Sequence, residues 1–340
     1  MRIRRIYIVS RLTTLPVKYL KYGLIGLAGV TILLLGWGMA IEPYLIDERE
    51  EIAEIPGLPA AWEGQRIALI ADLQVGMWLA NTSTIRRIVD RLIERQPALV
   101  LIAGDFIYRP TGEETIEEAR EEFEPEEIQE SLNELDEAIE LIKPLMEAGI
   151  PVYAVLGNHD YSMLRPGDIK LEWLAQRVRE ALTAAGVTVL DNKAVAVAPP
   201  KHRPPLDEDK SNAGSLYVVG IGCRYANNDK PAVALAQVPN KAPRLVLMHH
   251  PDSFAKFPAN TAPFAMAAHT HGGQIRLPFT PEWSWMNLIV SGEVYADGWI
   301  KAYGQPGNRL YVNRGIGFSM IPVRINAVPE VTLFTLRGTP

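Results

Sequence analysis

Short, continuously apolar runs alternate with amphipathic segments along the first half of the chain. The runs "RIALIAD" (66–72), "ALVLIAGD" (98–105) and "VYAVLGNHD" (152–160) are typical of strands that are covered on both faces. The segments that follow the first and the third run, "TIRRIVDRLIERQ" (84–96) and "LEWLAQRVREALTAAG" (171–186), carry apolar residues at helical spacing. This alternation predicts strand–helix units with a largely parallel sheet.

The second half of the chain is richer in predicted strands. The relevant runs are "SLYVVGIG" (215–222), "RLVLMHHPD" (244–252), "PFAMAAHTHGG" (263–273) and "RLYVNRGIG" (309–317). Together the two halves predict an α/β fold, a four-layer α/β/β/α sandwich of two mixed β-sheets flanked by helices, preceded by an N-terminal transmembrane helix. Residues 198–214, which are rich in proline and charge, predict an exposed loop.

The N-terminal region has the pattern of a membrane anchor. Residues 23–41 are nineteen uncharged, mostly apolar residues, which span roughly 28 Å as a helix, close to the thickness of a bilayer core. Six basic residues and no acidic one precede residue 22, and acidic residues dominate after residue 41. The positive-inside rule then predicts a single-pass protein of the inner cell membrane with a cytoplasmic N-terminus and an extracytoplasmic domain. The predicted segments are 1–22 (basic, cytoplasmic), 23–41 (transmembrane helix), 42–62 (linker) and 63–340 (extracytoplasmic domain).

Two alternatives to a retained anchor stay open. Small residues around Ala40 fit a signal-peptidase site, which would make the protein secreted after cleavage near this residue. A buried helix of a soluble protein is the other alternative. The retained anchor is preferred because the apolar run exceeds the usual length of a signal-peptide core.

Charge is distributed unevenly although the formal net charge is only −6. Residues 111–140 carry fourteen acidic side chains against one basic residue, Arg120. Apart from this block and the basic N-terminus the chain is nearly neutral, so no nucleic-acid partner is expected. The single cysteine, Cys223, excludes an internal disulfide and a multi-cysteine metal site.

The acidic block, described here as an insert over residues 111–143, has three interpretations. Its apolar residues recur at roughly helical spacing, which favours a solvated amphipathic helix pair broken near Pro125. An acidic surface that docks a protein partner and a disordered insert are the alternatives. The sequence identifies no particular protein partner.

Polar residues stand at the ends of the apolar runs. Five segments supply oxygen or imidazole ligands where a predicted strand meets a loop, and five of the six histidines lie in them. Because ligands gather at the carboxyl ends of strands in α/β sheets, these segments are expected to converge. The residues are Asp72 and Gln74; Asp105; Asn158, His159 and Asp160; His249 and His250; and His269 and His271.

The residue types indicate a metal site. Carboxylates, amide oxygens and imidazoles suit divalent manganese, iron or zinc, and the lack of thiolates argues against softer metals. Two cations that act together need a shared carboxylate and can clamp a phosphoryl group between them. The glycines of "AHTHGGQIRLP" (268–278) leave room for close approach of the backbone.

In this order and spacing the motifs resemble those of the calcineurin-like metallophosphoesterases. The quoted motifs are "DLQ" (72–74), "GD" (104–105), "GNHD" (157–160), "HHP" (249–251) and "HTHGGQ" (269–274). The resemblance runs from about residue 64 to the end, and the flanks "HTHGGQIRLP" and "LYVNRGIG" resemble the bacterial membrane-linked subgroup of exported phosphodiesterases. It implies two divalent metal ions (Mn, Fe or Zn) and hydrolysis by metal-bound hydroxide, without a protein nucleophile.

The resemblance also implies roles for single residues. One metal would be held by Asp72, Gln74, Asp105 and His271, and the other by Asp105, Asn158, His249 and His269. His249 is preferred over His250 because the family histidine stands two residues before the proline. His159 would act beside the scissile phosphate, Asp160 would orient His159, and Arg324 is a candidate substrate-binding residue, with a surface or structural role as its alternative.

The chain departs from the family pattern at Gln74, where the family has a histidine, and at Ala268, where it has a glycine. The predicted function is a membrane-anchored metallophosphoesterase that hydrolyses phosphodiester or pyrophosphate bonds in phosphorylated small-molecule, lipid-linked or cell-envelope substrates. The alternative, suggested by Gln74, is a catalytically weak or inactive member of the fold that binds a partner through the acidic insert.

Overall fold

The computed structural model describes residues 17–79, 81–108, 125–200, 214–276, 283–288 and 294–339. Most of the predicted basic segment (1–16), the first part of the acidic insert (109–124) and most of the predicted exposed loop (201–213) lie outside the described residues.

The described part of the chain contains five α-helices and twelve β-strands. The helices are α1 (Val17–Ala40), α2 (Thr82–Arg95), α3 (Pro125–Glu147), α4 (Glu172–Ala184) and α5 (Pro231–Leu235). The strands are β1 (Asp47–Pro56), β2 (Arg66–Ile70), β3 (Leu99–Ile102), β4 (Val152–Ala154), β5 (Thr188–Val189), β6 (Lys193–Val197), β7 (Leu216–Gly220), β8 (Arg244–Leu247), β9 (Ala265–Ala267), β10 (Gly298–Ile300), β11 (Leu310–Val312) and β12 (Glu330–Thr339).

The strands form two six-stranded sheets, in the orders β1-β12-β2-β3-β4-β5 and β10-β11-β9-β8-β7-β6. In the first sheet β2 to β5 are parallel, and β12 runs antiparallel to β2. In the second sheet β7, β8, β9 and β11 are parallel, with antiparallel β6 and β10 at the edges. The prediction of two mixed sheets is confirmed.

Alternate residues of each central strand enter different cores, as the period of two in a strand requires. In β2, Ile67 and Leu69 face the core between the two sheets, and Ala68 and Ile70 face the core under α2, α3 and α4. A third core lies on the outer face of the second sheet, under α5 and a short 3₁₀ segment at 251–256. These three cores separate four layers, so the predicted sandwich is confirmed.

The described part of the acidic insert is the N-terminal portion of α3. This helix packs on the first sheet through residues spaced three or four apart, whereas Glu137, Glu140 and Glu147 are exposed and Glu134 is half-buried beside Gly76. The apolar residues are Leu135, Ala138, Ile142 and Leu145.

The prediction of a linker over residues 42–62 is wrong for most of that segment. Residues 47–56 form β1, which pairs in parallel with β12 along its whole length. Ala53 and Ile55 are fully buried and Trp62 is part of the core between the sheets. The acidic residues hide this strand in the sequence because an edge strand tolerates charges on its open side.

The N-terminal apolar segment forms one continuous helix, α1, which includes the predicted span 23–41 except for its last residue. The most apolar 18-residue window of the region Tyr19–Tyr44 has a mean hydropathy of 2.2, and only 6% of this window is buried. The helix therefore has the length and composition of a membrane span, which a signal sequence near the N-terminus can also have.

Candidate metal centre

The candidate site lies where strands of both sheets end. Asp72 follows β2, Asp105 follows β3 and Asn158 follows β4, whereas His249 follows β8 and His269 follows β9. Since each set of strands is parallel, their carboxyl ends meet along one edge of the sandwich. The first four side chains are almost completely buried, and His269 is partly exposed at the mouth of the site.

Asp105 is at the centre of this arrangement. Its Oδ2 atom lies 3.2 Å from Nε2 of Gln74 and 3.2 Å from Nε2 of His249. Its Oδ1 atom accepts a hydrogen bond of 2.9 Å from the backbone N–H of His159, which fixes the carboxylate plane. One oxygen of Asp105 therefore faces two separate groups of donors, as a bridging ligand must.

The second group of donors surrounds His249. The Nε2 atom of His249 is 3.1 Å from Oδ1 of Asn158 and 3.2 Å from Nδ1 of His269. The other ring nitrogen, Nδ1, lies 2.7 Å from the carbonyl oxygen of Ala103, to which it donates. This backbone contact uses the hydrogen on Nδ1, so Nε2 is the nitrogen that faces the other donors and would bind a cation.

The first group of donors comprises Asp72, Gln74 and His271 beside Asp105. The side-chain amide of Gln74 lies 3.3 Å from Nε2 of His271, and Oδ2 of Asp72 lies 4.0 Å from Nδ1 of the same ring. The nitrogen and oxygen positions of the Gln74 amide are assigned from the hydrogen-bond network. Either end of this amide can therefore face the site.

The spacing of the donor atoms fits divalent cations. Donors bound to one cation at roughly 2.1 Å lie roughly 3.0–3.4 Å apart along the edges of an octahedron or a tetrahedron, and the distances around His249 are 3.1–3.2 Å. Within the described part of the chain, Asp72 Oδ2 and Gln74 Oε1 are buried without a hydrogen-bond partner. A cation would satisfy both oxygens, which are costly to bury unpaired.

Backbone conformation distinguishes the site from ordinary strand ends. Five of the seven predicted ligands have positive φ angles between 45° and 72°, a backbone region that residues other than glycine rarely adopt. Such strain persists where the surrounding structure imposes it, and it concentrates at functional sites. The five residues are Asp72, Gln74, Asp105, His269 and His271.

Gly157 allows Asp105 to approach the third loop. A Cβ atom at this position would collide with Oδ1 and Cγ of Asp105. The glycine of the "GNHD" motif is thus required by the close contact between two ligand-bearing loops.

Burial controls the protonation of the ligands. Desolvation, reinforced by the charge of Asp105, raises the pKa of Asp72 to about 7. Desolvation also lowers the pKa of His269 to about 3 and lowers that of His271. Both imidazoles are therefore neutral near pH 7 and can offer a lone pair to a cation. Burial works against ionisation of Asp105 as well, but the neighbouring His249 holds the pKa of this carboxyl below its usual value.

His159 lies in the site, but Asp160 does not orient its ring, so the predicted role of Asp160 is wrong. The carboxylate of Asp160 accepts hydrogen bonds from the backbone N–H groups of Gly157 (2.8 Å), Asp105 (3.1 Å) and Phe106 (2.8 Å). Asp160 thus joins the two loops that carry Asp105 and Asn158. This role depends on which loops are neighbours in space, so it cannot be read from the motif alone.

The ring of His159 is oriented by a residue that sequence reasoning missed. Its Nδ1 atom lies 2.6 Å from the carbonyl oxygen of Tyr108, and the two rings stack with centroids 5.2 Å apart. Tyr108 follows the "GD" motif by three residues, and no chemical signal in the sequence marks it.

Tyr225 is a second residue that the sequence did not reveal. Its hydroxyl lies 3.0 Å from Nε2 of His269, and this contact holds the ring with Nδ1 toward His249. Hydrogen bonds of this kind commonly fix the orientation of metal-binding imidazoles.

The prediction that Arg324 binds substrate is contradicted by its burial, and the structural alternative applies. Arg324 is fully buried, and its guanidinium donates hydrogen bonds to the carbonyl oxygens of Gly317, Ala327 and Arg314 at 2.6–3.0 Å. It lies behind His271, with Nη2 3.4 Å from Nδ1 of that ring. Desolvation lowers the pKa of Arg324 to about 9. The side chain supports the wall of the site and does not reach its opening.

A cavity of about 660 Å³ opens beside the donors. One part of its wall is polar and includes the ligands His269 and His271, and another part is apolar. The polar lining residues are Arg165, Tyr225, His269, Thr270, His271, Gln274 and Ser319; the apolar ones are Leu164, Pro166, Trp285, Met286 and Met320.

Fold and site together define a metal-dependent phosphoesterase architecture, and the comparison with protein families agrees. The family model for the calcineurin-like phosphoesterases matches residues 65–273, which is more than half of the chain. The chain belongs to this family and is a metallophosphoesterase, a hydrolase of phosphoric esters.

Similar bacterial proteins extend the comparison over most of the chain. The phosphodiesterase YaeI of Escherichia coli (strain K12) is 30% identical over 80% of this chain and 82% of its own length. The uncharacterized metallophosphoesterase YkuE of Bacillus subtilis (strain 168) is 25% identical over 89% of this chain and 90% of its own. The UDP-2,3-diacylglucosamine pyrophosphatase LpxG of Chlamydia muridarum is 24% identical over 87% of this chain and 91% of its own length.

Proposed function

We propose that this protein is a membrane-anchored, binuclear metal-dependent phosphoesterase that hydrolyses phosphodiester or pyrophosphate bonds in lipid-linked or cell-envelope substrates. The observation that carries this proposal is the position of Asp105, whose Oδ2 atom faces both Gln74 and His249 at 3.2 Å. Asp72, Gln74, Asp105 and His271 would hold one cation, and Asp105, Asn158, His249 and His269 the other. A bound pair of divalent cations supplies Lewis-acid activation of the phosphoryl group and of water.

His159 is the proposed proton donor. The carbonyl of Tyr108 accepts the hydrogen on Nδ1, so Nε2 is the nitrogen left to act on substrate. From there a protonated imidazole can donate to the leaving oxygen or stabilise charge on a phosphoryl oxygen.

The polar and apolar parts of the cavity wall support an amphiphilic substrate. A phosphoryl group beside His269 and His271 would place the rest of the molecule against Trp285, Met286 and Met320. The names of two similar proteins, a phosphodiesterase and a pyrophosphatase of a diacylated sugar nucleotide, support the choice of bond and of lipid linkage.

The proposal includes that α1 is not cleaved and remains as the membrane anchor. The last turn of α1 contacts the domain, because the backbone N–H of Arg324 donates to the carbonyl oxygen of Gly38 at 2.9 Å. Ser319 and Met320, which line the cavity, lie in the same short segment as Arg324. An anchor at this position holds the mouth of the site close to the membrane surface, where a lipid substrate is concentrated.

Hydrolysis assays on the full-length chain in detergent test the proposal. With Mn²⁺, we expect turnover of an artificial aryl phosphodiester that exceeds turnover of the matching phosphomonoester. Asp105→Asn should abolish activity together with cation binding, whereas His159→Ala should lower kcat by about 10²–10⁴-fold and leave cation binding unchanged.

Two results would count against the proposal. Faster hydrolysis of the monoester would indicate a phosphomonoesterase. No turnover above the His159→Ala variant with manganese, magnesium, iron or zinc would favour the partner-binding alternative.

A further inference from the structure

His250 is a buried histidine that none of the roles above uses. It directly follows the ligand His249 at the end of β8 and is only 1% exposed. Both of its ring nitrogens are buried, and neither has a hydrogen-bond partner among the described residues. A buried polar group that is left unpaired destabilises the folded protein, so a residue of this kind needs an explanation.

The position of His250 explains why its ring nitrogens have no hydrogen-bond partner. The ligand atoms of His249, His250 and His269 all lie within 4.8 Å of one another. The ring of His250 is 4.3 Å from that of His269 and 4.7 Å from that of His249, between centroids. Opposite donors bound to one cation at roughly 2.1 Å are roughly 4.2 Å apart, so shifts of a few tenths of an ångström bring all three nitrogens within range of one ion.

The ring of His250 is held in place by its neighbours. Because Tyr225 covers one side of the ring, with centroids 4.2 Å apart, the ring has little freedom to turn away.

We propose that His250 is a third imidazole ligand of the second cation, beside His249 and His269. This inference rests on the binuclear site proposed above. It makes the two cation positions chemically different. The first position has three oxygen donors and one imidazole, because Gln74 provides an amide; the second has two oxygen donors and three imidazoles.

Different donor sets should select different metals. Oxygen-rich positions suit manganese and magnesium, whereas imidazole-rich positions suit zinc, cobalt and iron. We therefore expect the second position to bind Co²⁺ more tightly than the first and to lose that preference without His250.

The test is Co²⁺ titration of the metal-stripped, full-length chain in detergent, followed by calorimetry and visible absorption. The wild type should bind two Co²⁺ ions with distinct affinities. In His250→Phe, which keeps a ring and removes both nitrogens, the tighter affinity should fall at least about tenfold and the visible bands of that ion should change. For scale, losing even a partner of a metal ligand typically costs 10–100-fold in affinity.

His159→Phe is the matched control, because it removes a second imidazole from the same site without removing a proposed ligand. It should leave both affinities and both spectra unchanged. His250→Gln serves as a second variant with an amide oxygen, and we expect intermediate affinity; thermal unfolding of each stripped variant verifies that it is folded.

The outcomes separate the inference from the proposed function. If His250→Phe and His250→Gln titrate like the wild type, His250 is a packing residue and the inference is overturned, although the binuclear site stands. If the wild type binds fewer than two ions, the binuclear site itself is wrong and the inference falls with it.

Discussion

At the scale of single residues, Gln74 is the main departure from the ligand set that the family motifs imply. Its amide lies within 3.3 Å of both Asp105 and His271, so it lies among the candidate ligands in space as well as in sequence. A neutral amide oxygen is a weaker donor than an imidazole for cobalt, iron or zinc. The first cation is therefore expected to be the more weakly held of the two.

Gln74→His tests this expectation. The substitution restores an imidazole beside His271, and we expect the dissociation constant of the weaker cation to fall by about tenfold, within the range that changes around metal ligands produce. Calorimetric Co²⁺ titration of the full-length chain measures the effect, and Gln74→Leu, which has no donor, should weaken the same step. Unchanged or weaker affinity in Gln74→His would mean that the pocket has adapted to the amide.

The sequence was sufficient to place the candidate ligands but not their supporting contacts. Asp72, Asp105 and His249 end apolar runs, and the rule that strand ends converge brings them together. Asp160 instead accepts from the backbone of Asp105 and Phe106, and the guanidinium of Arg324 lies against the ring of His271; each of these partners is distant along the chain. Which loops become neighbours depends on strand order, and no local pattern reports it.

At the scale of elements, β1 shows why the sequence after α1 predicts a linker although the segment forms a strand. Its first half is acidic, yet charges are paired there: Arg49 contacts Asp297 at 2.8 Å, and Glu51 accepts a hydrogen bond of 3.0 Å from Trp299. Only Ala53 and Ile55 are buried apolar residues of this strand. The alternation is thus too short to identify a strand from the sequence.

The junction between α1 and the domain is held by buried hydrogen bonds. Glu42, which is 3% exposed, accepts hydrogen bonds from the Trp37 indole (2.8 Å) and the Ala327 backbone (2.6 Å). The carbonyl oxygen of Pro43 accepts from Asn81 at 2.7 Å. Since no flexible linker separates α1 from β1, the helix and the domain are expected to behave as one unit.

Gly38→Val tests the contact between α1 and the domain. A Cβ atom at Gly38 would lie 2.7 Å from the carbonyl oxygen of Arg324 and 2.8 Å from Ile325, so a larger residue must displace the helix or the segment. We expect the domain of the full-length chain in detergent to lose about 1–3 kcal/mol of stability, the usual cost of overpacking.

Gly29→Val is the matched control, because a Cβ atom at Gly29 has nothing within 4 Å. Both variants place the same residue in the same helix, so helix propensity cancels between them. Equal unfolding temperatures for the two variants would contradict the packed junction.

At the scale of the whole molecule, a buried ionic cluster connects the segment after α1 to both sheets. Arg314 forms ion pairs with Asp47 in β1 and with Glu330 in β12, the latter at 2.8 Å. Glu330 is fully buried and also accepts a hydrogen bond of 2.7 Å from Tyr311 in β11. The orientation of the domain relative to α1 is therefore set by the fold. If α1 is the retained membrane anchor that we propose, the side of the membrane on which the domain lies decides which substrates the site meets.

The charges around α1 predict the side of the membrane on which the domain lies. Residues 1–21 carry six basic side chains, which the positive-inside rule keeps in the cytoplasm. A reporter that is active only outside the cytoplasm, fused after Pro340, should therefore be active, and a fluorescent reporter that matures only inside should be dark. Replacing the six basic residues with glutamine should weaken this asymmetry and shift part of the population toward the opposite result. Activity of the cytoplasmic reporter on the unaltered chain would overturn the charge argument, and it would make a cytoplasmic nucleotide-activated lipid precursor the better substrate class for this site.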